Sequence, residues 1–316
     1  MLFNKINYII IPMTNNYDLQ KERLKLILIS ATFGTIGIVT HFIPLGSAAI
    51  VFYRALLGGI FIIIMTYLSG KTVNVYAMGK NFFVLIWTGF FMGLNWVFQF
   101  EAFRVSTVAI GTVCYNTMPI FLLIIASFMF KEKITLKSVV CILIATIGVV
   151  LVSNVINTGI RSNEVLGCFY GILGAINYAL IVIFNRKLSH IETHDKIIFQ
   201  FIFSAIIMFI YVLFIQKDSL FFKEDISNET LLIGIICILL LSFFHTGFCY
   251  VHYFNAVSRL KAETVAILTY IDPVVALFTS YFILREKTTG LQMLGAGLIL
   301  ASTLANELIK SKKGLS

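Results

Sequence analysis

Apolar runs long enough to cross the hydrocarbon core of a bilayer, roughly 17–25 residues each at helical rise, recur along the whole chain with short polar gaps between them. Ten can be placed, at about 25–43, 47–69, 82–102, 106–130, 137–153, 166–186, 197–216, 231–254, 262–284 and 291–309. In hydrocarbon every backbone N–H and C=O must be paired within its own segment or inside a closed barrel. The alternating pattern of barrel strands is absent, so the runs predict an all-α integral membrane protein with ten transmembrane helices. With 59% hydrophobic and 12% charged residues among 316, a soluble fold could not cover the apolar surface.

The net charge of +9 does not point to nucleic acid, because the Lys and Arg residues sort by side. With residue 1 and the even-numbered loops taken as cytoplasmic, 17 of the 24 lie on that side, 6 lie in the opposite loops, and Arg54 falls inside a span. The positive-inside rule then predicts a multi-pass protein of the cell membrane with both termini cytoplasmic. The first twenty residues hold an apolar stretch too short to span, interrupted by Pro12 and without a small-residue cleavage site. They read as a cytoplasmic arm rather than a signal peptide, with Met13 as an alternative start. All five cysteines fall within spans at no metal-ligand spacing and read as packing residues.

The chain also repeats itself. At a fixed offset of 154 residues, Pro119 meets Pro273, Phe128 meets Phe282, Glu132 meets Glu286, Lys133 meets Lys287 and Thr135 meets Thr289. The chain has only four prolines, so two of them matching inside spans marks two copies, at 25–153 and 166–309, flanked by an arm (1–24) and a tail (310–316). Each copy holds five spans. An odd number obliges the second copy to start on the opposite side of the membrane, giving two inverted five-helix repeats. Such repeats build secondary transporters, with the site near mid-membrane between the copies and interrupted helices around it.

Proline removes a backbone donor and crowds the carbonyl four residues back, so Pro119 frees the carbonyl of Tyr115 and Pro273 that of Thr269. Both prolines are therefore candidate hinges, with a simple bundle-shaping kink as the alternative. The turns after these spans, Lys131-Glu132-Lys133 and Arg285-Glu286-Lys287, read as structural: cations suit helix C-termini, and each glutamate can approach the next helix's N-terminus.

Two five-span copies, each with proline in its fourth span followed by a Glu-Lys-x-Thr turn (Glu132 to Thr135 and Glu286 to Thr289), resemble the EamA group of the drug/metabolite transporter superfamily over about residues 25–309. The resemblance implies a ten-helix carrier of small metabolites, often an exporter of amino acids and related compounds. It also implies a central cavity lined by the first, third, fourth, sixth, eighth and ninth helices. Cys141, where many members have glycine, and Asp272, a charge inside the ninth helix, depart from the pattern.

Polar groups in hydrocarbon are costly, and each is a functional candidate by default. They gather on those same helices. Asn95 and Gln99 share one face beside Trp96; Tyr115 and Asn116 precede Pro119; Asn177 and Tyr178 lie on the sixth span. The eighth span offers His245 and Tyr250, the ninth Thr269, Tyr270 and Asp272. For the uncharged members the alternative is interhelical hydrogen bonding, about 0.6–2 kcal/mol each. Arg54 can pair with Asp272, snorkel outward or bind an anionic group. His245 titrates near neutral pH and can relay protons, or simply pack among aromatics. Asp272 can exist neutral or charged, as proton coupling or recognition of an amine requires, or it can cap the broken backbone; its symmetric counterpart, Met118, cannot titrate. Gly89/Gly93 and Gly167/Gly171 have the spacing that lets helices approach closely, read as internal packing.

The expectation is a secondary carrier whose partners are a small-molecule substrate and the lipid bilayer, as monomer or homodimer. No Gly-rich phosphate loop followed by Lys-Ser/Thr is present, and no cofactor or metal is called for. An integral-membrane enzyme is one alternative, with His190, His194 and Asp195 as its polar cluster; a channel or sensor is another.

Overall fold

The computed structural model describes residues 16–130, 135–154, 162–188, 191–215, 220–222, 226–257, 259–260, 268–269 and 271–312. The described residues form helices and connecting turns, with no strand. In chain order the helices are α1 (Asn16–Phe33), α2 (Ile36–His41), α3 (Ser47–Leu68), α4 (Val75–Lys80), α5 (Phe82–Val105), α6 (Val108–Tyr115), α7 (Met118–Phe130) and α8 (Leu136–Val152). Then come α9 (Asn163–Lys187), α10 (Thr193–Ile215), α11 (Asn228–Leu239), a π-helical segment (Leu240–Phe248), α12 (Cys249–Val257), α13 (Ile271–Phe282) and α14 (Gly290–Lys312).

Among the described residues, seven helical stretches are long and apolar enough to cross a membrane: Leu19–His41, Ser47–Leu68, Phe82–Val105, Val108–Met129, Asn163–Asn185, Thr193–Phe214 and Asn228–Tyr253. The fifth, ninth and tenth runs appear as shorter apolar helices, Leu136–Val152, Ile271–Phe282 and Gly290–Ser302. The starts of α6, α8, α9 and α11 are chemically marked. Thr107, Thr135, Ser162 and Ser227 each accept a hydrogen bond from the backbone N–H three residues on, satisfying a donor that the helix itself leaves unpaired.

Burial is inverted relative to a water-soluble bundle. Phe83, Phe128, Leu136 and Phe214 are among the most exposed side chains, while Arg54, Asn95, Gln200, His245 and Thr246 are buried. Lipid supplies the apolar surroundings, and the interior keeps the polar groups that must bond to one another. Small residues then allow the close approaches. Gly148 of α8 and Gly295 of α14 face each other so tightly that a Cβ on Gly148 would lie 2.8 Å from the carbonyl of Gly295. Gly89 and Gly93 sit on α10, and Gly167 and Gly171 on the α5–α6 junction and α6, so both glycine pairs serve packing within the chain.

Among the described residues three spans are interrupted. Gly34 and Thr35 separate α1 from α2, and Gly34 presses so closely on the backbone of Asp272 that a Cβ would come within 2.5 Å of its carbonyl oxygen. Asn116 and Thr117 separate α6 from α7, where Thr117 turns its hydroxyl and N–H back to the carbonyl of Cys114. The third interruption is the π-helical segment between α11 and α12. Pro119 and Pro273 each fall in the first turn of a helix, where the missing N–H costs least.

One contact differs from expectation. Glu286 does not serve the helix that follows it: its carboxylate accepts from the backbone N–H of Val108 (3.0 Å) and Ala109 (3.5 Å) at the start of α6, and from the hydroxyl of Ser280. The start of α14 is capped instead by Thr289 and Gln292, each bonding the other's backbone N–H. The corresponding Glu132, with Lys131 and Lys133, lies outside the described residues.

Candidate functional site

Residues at or near the interruptions, Phe33, Ile36, Tyr115, Asn116 and Tyr250, help line a cavity of about 450 Å³, within the size range of small-molecule sites. Both halves of the chain line it. From the first half come Arg54, Asn95, Trp96 and Gln99, then Tyr115 and Asn116; from the second come Tyr178, Tyr250, Thr269 and Asp272. Met118 and Asp272, symmetric in the repeat, both face this space.

Six aromatic side chains, Phe33, Trp96, Tyr115, Tyr178, Tyr250 and Tyr253, lie on the wall. Tyr250 packs edge-on against Phe33 (5.7 Å between ring centroids) and Trp96 (6.4 Å), and Tyr115 against Tyr178 (6.2 Å). Asn95 is buried and joins three helices: its amide donates to the carbonyl of Gly174 on α9 (2.8 Å) and to the hydroxyl of Tyr115 on α6 (3.3 Å). Asn116 donates to the carbonyl of Thr112 (2.8 Å), stitching the end of α6 before the break.

The charges are placed differently from a fixed pair. Arg54 is 2% exposed, its guanidinium lies 4.1 Å from the centroid of the Trp96 ring, and its Nε donates to the hydroxyl of Thr246 at 2.7 Å. Stacking on an aromatic face stabilises a cation. Arg54 and Asp272 form no ion pair with each other, and among the described residues the Asp272 carboxylate has neither ion pair nor hydrogen bond.

Two candidates lie away from the cavity lining. Asn177 donates to the carbonyl of Leu173 on its own helix (2.8 Å). His245 is buried, with Nε2 2.9 Å from the hydroxyl of Thr35 and Nδ1 3.2 Å from the carbonyl of Leu240, so it ties the break in the first span to the π-helical segment. Tyr270 and His190 lie outside the described residues. Asp195 accepts from the backbone N–H of Asn74 (3.2 Å), and His194 sits between Asp195 (3.4 Å) and Glu192 (3.3 Å).

Residues not anticipated complete the lining, among them Phe33, Tyr253, Asn185 and Gln200. Gln200 donates to Asn185 at 2.6 Å. These two mark the direction in which the cavity extends. Gly167, near the start of α9, packs on Ala102 and Ser106, next to the α6 N-terminus that Glu286 holds. Asn185, near the other end of α9, is therefore at the opposite end of the bundle. The cavity reaches toward Asn185 and away from the Glu286 contact.

The sequence profile described as the EamA-like transporter family matches this chain twice, over residues 21–154 and 165–306. The chain belongs to the EamA-like transporter family. An uncharacterized transporter of Bacillus subtilis (strain 168), YxxF, is 26% identical over 286 residues, covering 88% of each chain. A probable amino-acid metabolite efflux pump of Escherichia coli (strain K12) is 26% identical over 202 residues, covering 62% of this chain and 66% of that one. A solved structure titled only as a crystal structure of a protein shares the fold, with a TM-score of 0.59 over 95% of this chain and 99% of that one at 13% identity. Membership makes this EamA-like protein a multi-pass membrane transporter rather than an enzyme.

Proposed function

We propose that the protein is a secondary carrier that exports amino acids or related small metabolites by alternating access, with Asp272 as the group that takes up a proton or a substrate amine. The observation that carries this reading is the cavity between the two halves, bounded by interrupted helices, with a carboxyl group on its wall that has no ion pair or hydrogen bond among the described residues. A carboxyl without a fixed partner is available to exchange a proton or meet an ammonium group. The ten-span inverted architecture is supported by the double match to one family profile and by the odd number of spans per copy. The name of the Escherichia coli relative, a probable amino-acid metabolite efflux pump, supports the substrate class and the outward direction. The charge bias of the loops supports cytoplasmic termini.

In this reading Pro119 and Pro273 mark hinges, and the Glu286 contact closes the outer end while the cavity faces the cytoplasm. Purified protein in proteoliposomes loaded with a panel of unlabelled amino acids is expected to show saturable counterflow of a radiolabelled member. Flux that rises linearly with concentration and shows no counterflow would indicate a channel.

A further inference from the structure

We propose that Arg54 is the carboxylate-binding group of this cavity and that Thr246, from the π-helical segment, is the residue that aims it. The inference rests on the carrier reading only for the class of ligand.

A guanidinium carries five N–H donors in a rigid plane and no acceptor. In Arg54 the Nε edge is committed to Thr246, the face to Trp96, and buried Nη1 has no hydrogen-bond partner among the described residues. Among the described residues this buried cation has an unused donor on the wall of the cavity and no ion pair, Asp272 included. Planar forks of this kind match carboxylates, which accept two parallel N–H bonds.

Thr246 is suited to hold the other edge. Its hydroxyl donates to the carbonyl of Leu241, five residues back (2.8 Å), which is the register of the π-helix. With its only hydrogen so committed, the oxygen is left to accept from Arg54 Nε. The guanidinium is thereby anchored through Nε, while Nη1, itself buried, keeps its donors unused among the described residues. Single π-turns inside α-helices are often found at functional sites, and here the wider turn sets the direction of a charge.

Tyr115 and Tyr250 lie within electrostatic range of both Arg54 and Asp272, so the two charges share one aromatic-walled chamber. A ligand with a carboxylate and an ammonium on neighbouring atoms would set the first on Arg54 and turn the second toward Asp272. The aromatic wall would take an apolar side chain.

The test is equilibrium binding to the detergent-purified full-length chain of three probes: phenylalanine, 3-phenylpropanoate, which lacks the amine, and phenethylamine, which lacks the carboxylate. Arg54→Gln and Thr246→Val are each expected to weaken the two carboxylate-bearing probes by roughly 10–100-fold, the size of a lost charge-assisted hydrogen bond. Phenethylamine binding should hold within about threefold, less than half of one tenfold step. Thr246→Ser, which keeps the hydroxyl, should restore carboxylate binding. If Arg54→Gln does not fold, Thr246→Val with its serine rescue decides alone. Equal losses for all three probes, no loss for any, or failure of the wild-type chain to bind either carboxylate-bearing probe overturns the assignment. Carboxylate-selective binding without counterflow would instead remove the carrier reading and leave the Arg54 site standing.

Discussion

In the proposed carrier cycle, replacing Glu286 by glutamine is expected to open the end of the bundle where it joins the turn after α13 to α6. Its carboxylate lies on the turn after α13, in the second copy, and accepts from the first two N–H groups of α6, in the first copy, at 3.0 and 3.5 Å. Movement of one half against the other must break this contact. The bond to Val108 has full-strength geometry and the one to Ala109 is at the outer limit, so about one charge-assisted bond, 1.5–3 kcal/mol, is at stake. Glutamine keeps an oxygen acceptor but loses the charge that suits a helix N-terminus, itself worth about 0.3–2 kcal/mol. A net loss of about 2 kcal/mol shifts the equilibrium between closed and open ends by about 30-fold. The assay is the rate of thiol modification of Ala109→Cys, 3% exposed here, in a background without the native cysteines. Glu286→Gln should raise that rate by a factor of this order, and Glu286→Asp by less. An unchanged rate in a folded protein would refute the idea that this contact latches the closed end.

Asp272→Asn should insert and fold yet lose the pH dependence of transport, since asparagine keeps the shape but exchanges no proton, while Met118→Leu should transport normally; an unchanged pH profile in Asp272→Asn would remove the residue from coupling. A single cysteine at Thr288 should react with an impermeant thiol reagent from outside the cell, and one at Thr135 should not; the reverse pattern would invert the topology. Gly148→Ala should lower the unfolding temperature, because its Cβ would lie 2.7 Å from Ile299 Cγ1 and 2.8 Å from the carbonyl of Gly295, a clash worth about 1–3 kcal/mol. Gly297→Ala, with nothing within 4 Å, is the control, and equal melting of the two variants would show that the α8–α14 crossing is looser than described.

The legible part of this chain was the part written in length and composition. Spans such as 47–69 and 166–186 follow from apolar runs alone, because hydrocarbon allows little but helix there. Polar residues at helical spacing on one face, Asn95 and Gln99 for example, led to the cavity wall for the same reason: only an interior tolerates them. The π-helical segment was not legible. Thr246 bonds five residues back and also accepts from Arg54, 192 positions away in sequence, and no local pattern records that contact. His245 was read either as a proton relay or as a packing residue, and the structure sets it against Thr35, across the break at Gly34 that turns the first span. Glu286 likewise found its partner in the other half of the chain rather than in the helix next to it.

Alternating access requires that one cavity open to each face in turn, and a thiol at position 118, on the cavity wall, reports both openings. In membrane vesicles of either orientation carrying Met118→Cys as the single cysteine, an impermeant thiol reagent should label the protein from both sides. Glu286→Gln should speed labelling from the outer side and slow it from the inner. Labelling from one face alone, whatever the state of Glu286, would mean a pocket with a single mouth and would contradict the carrier mechanism.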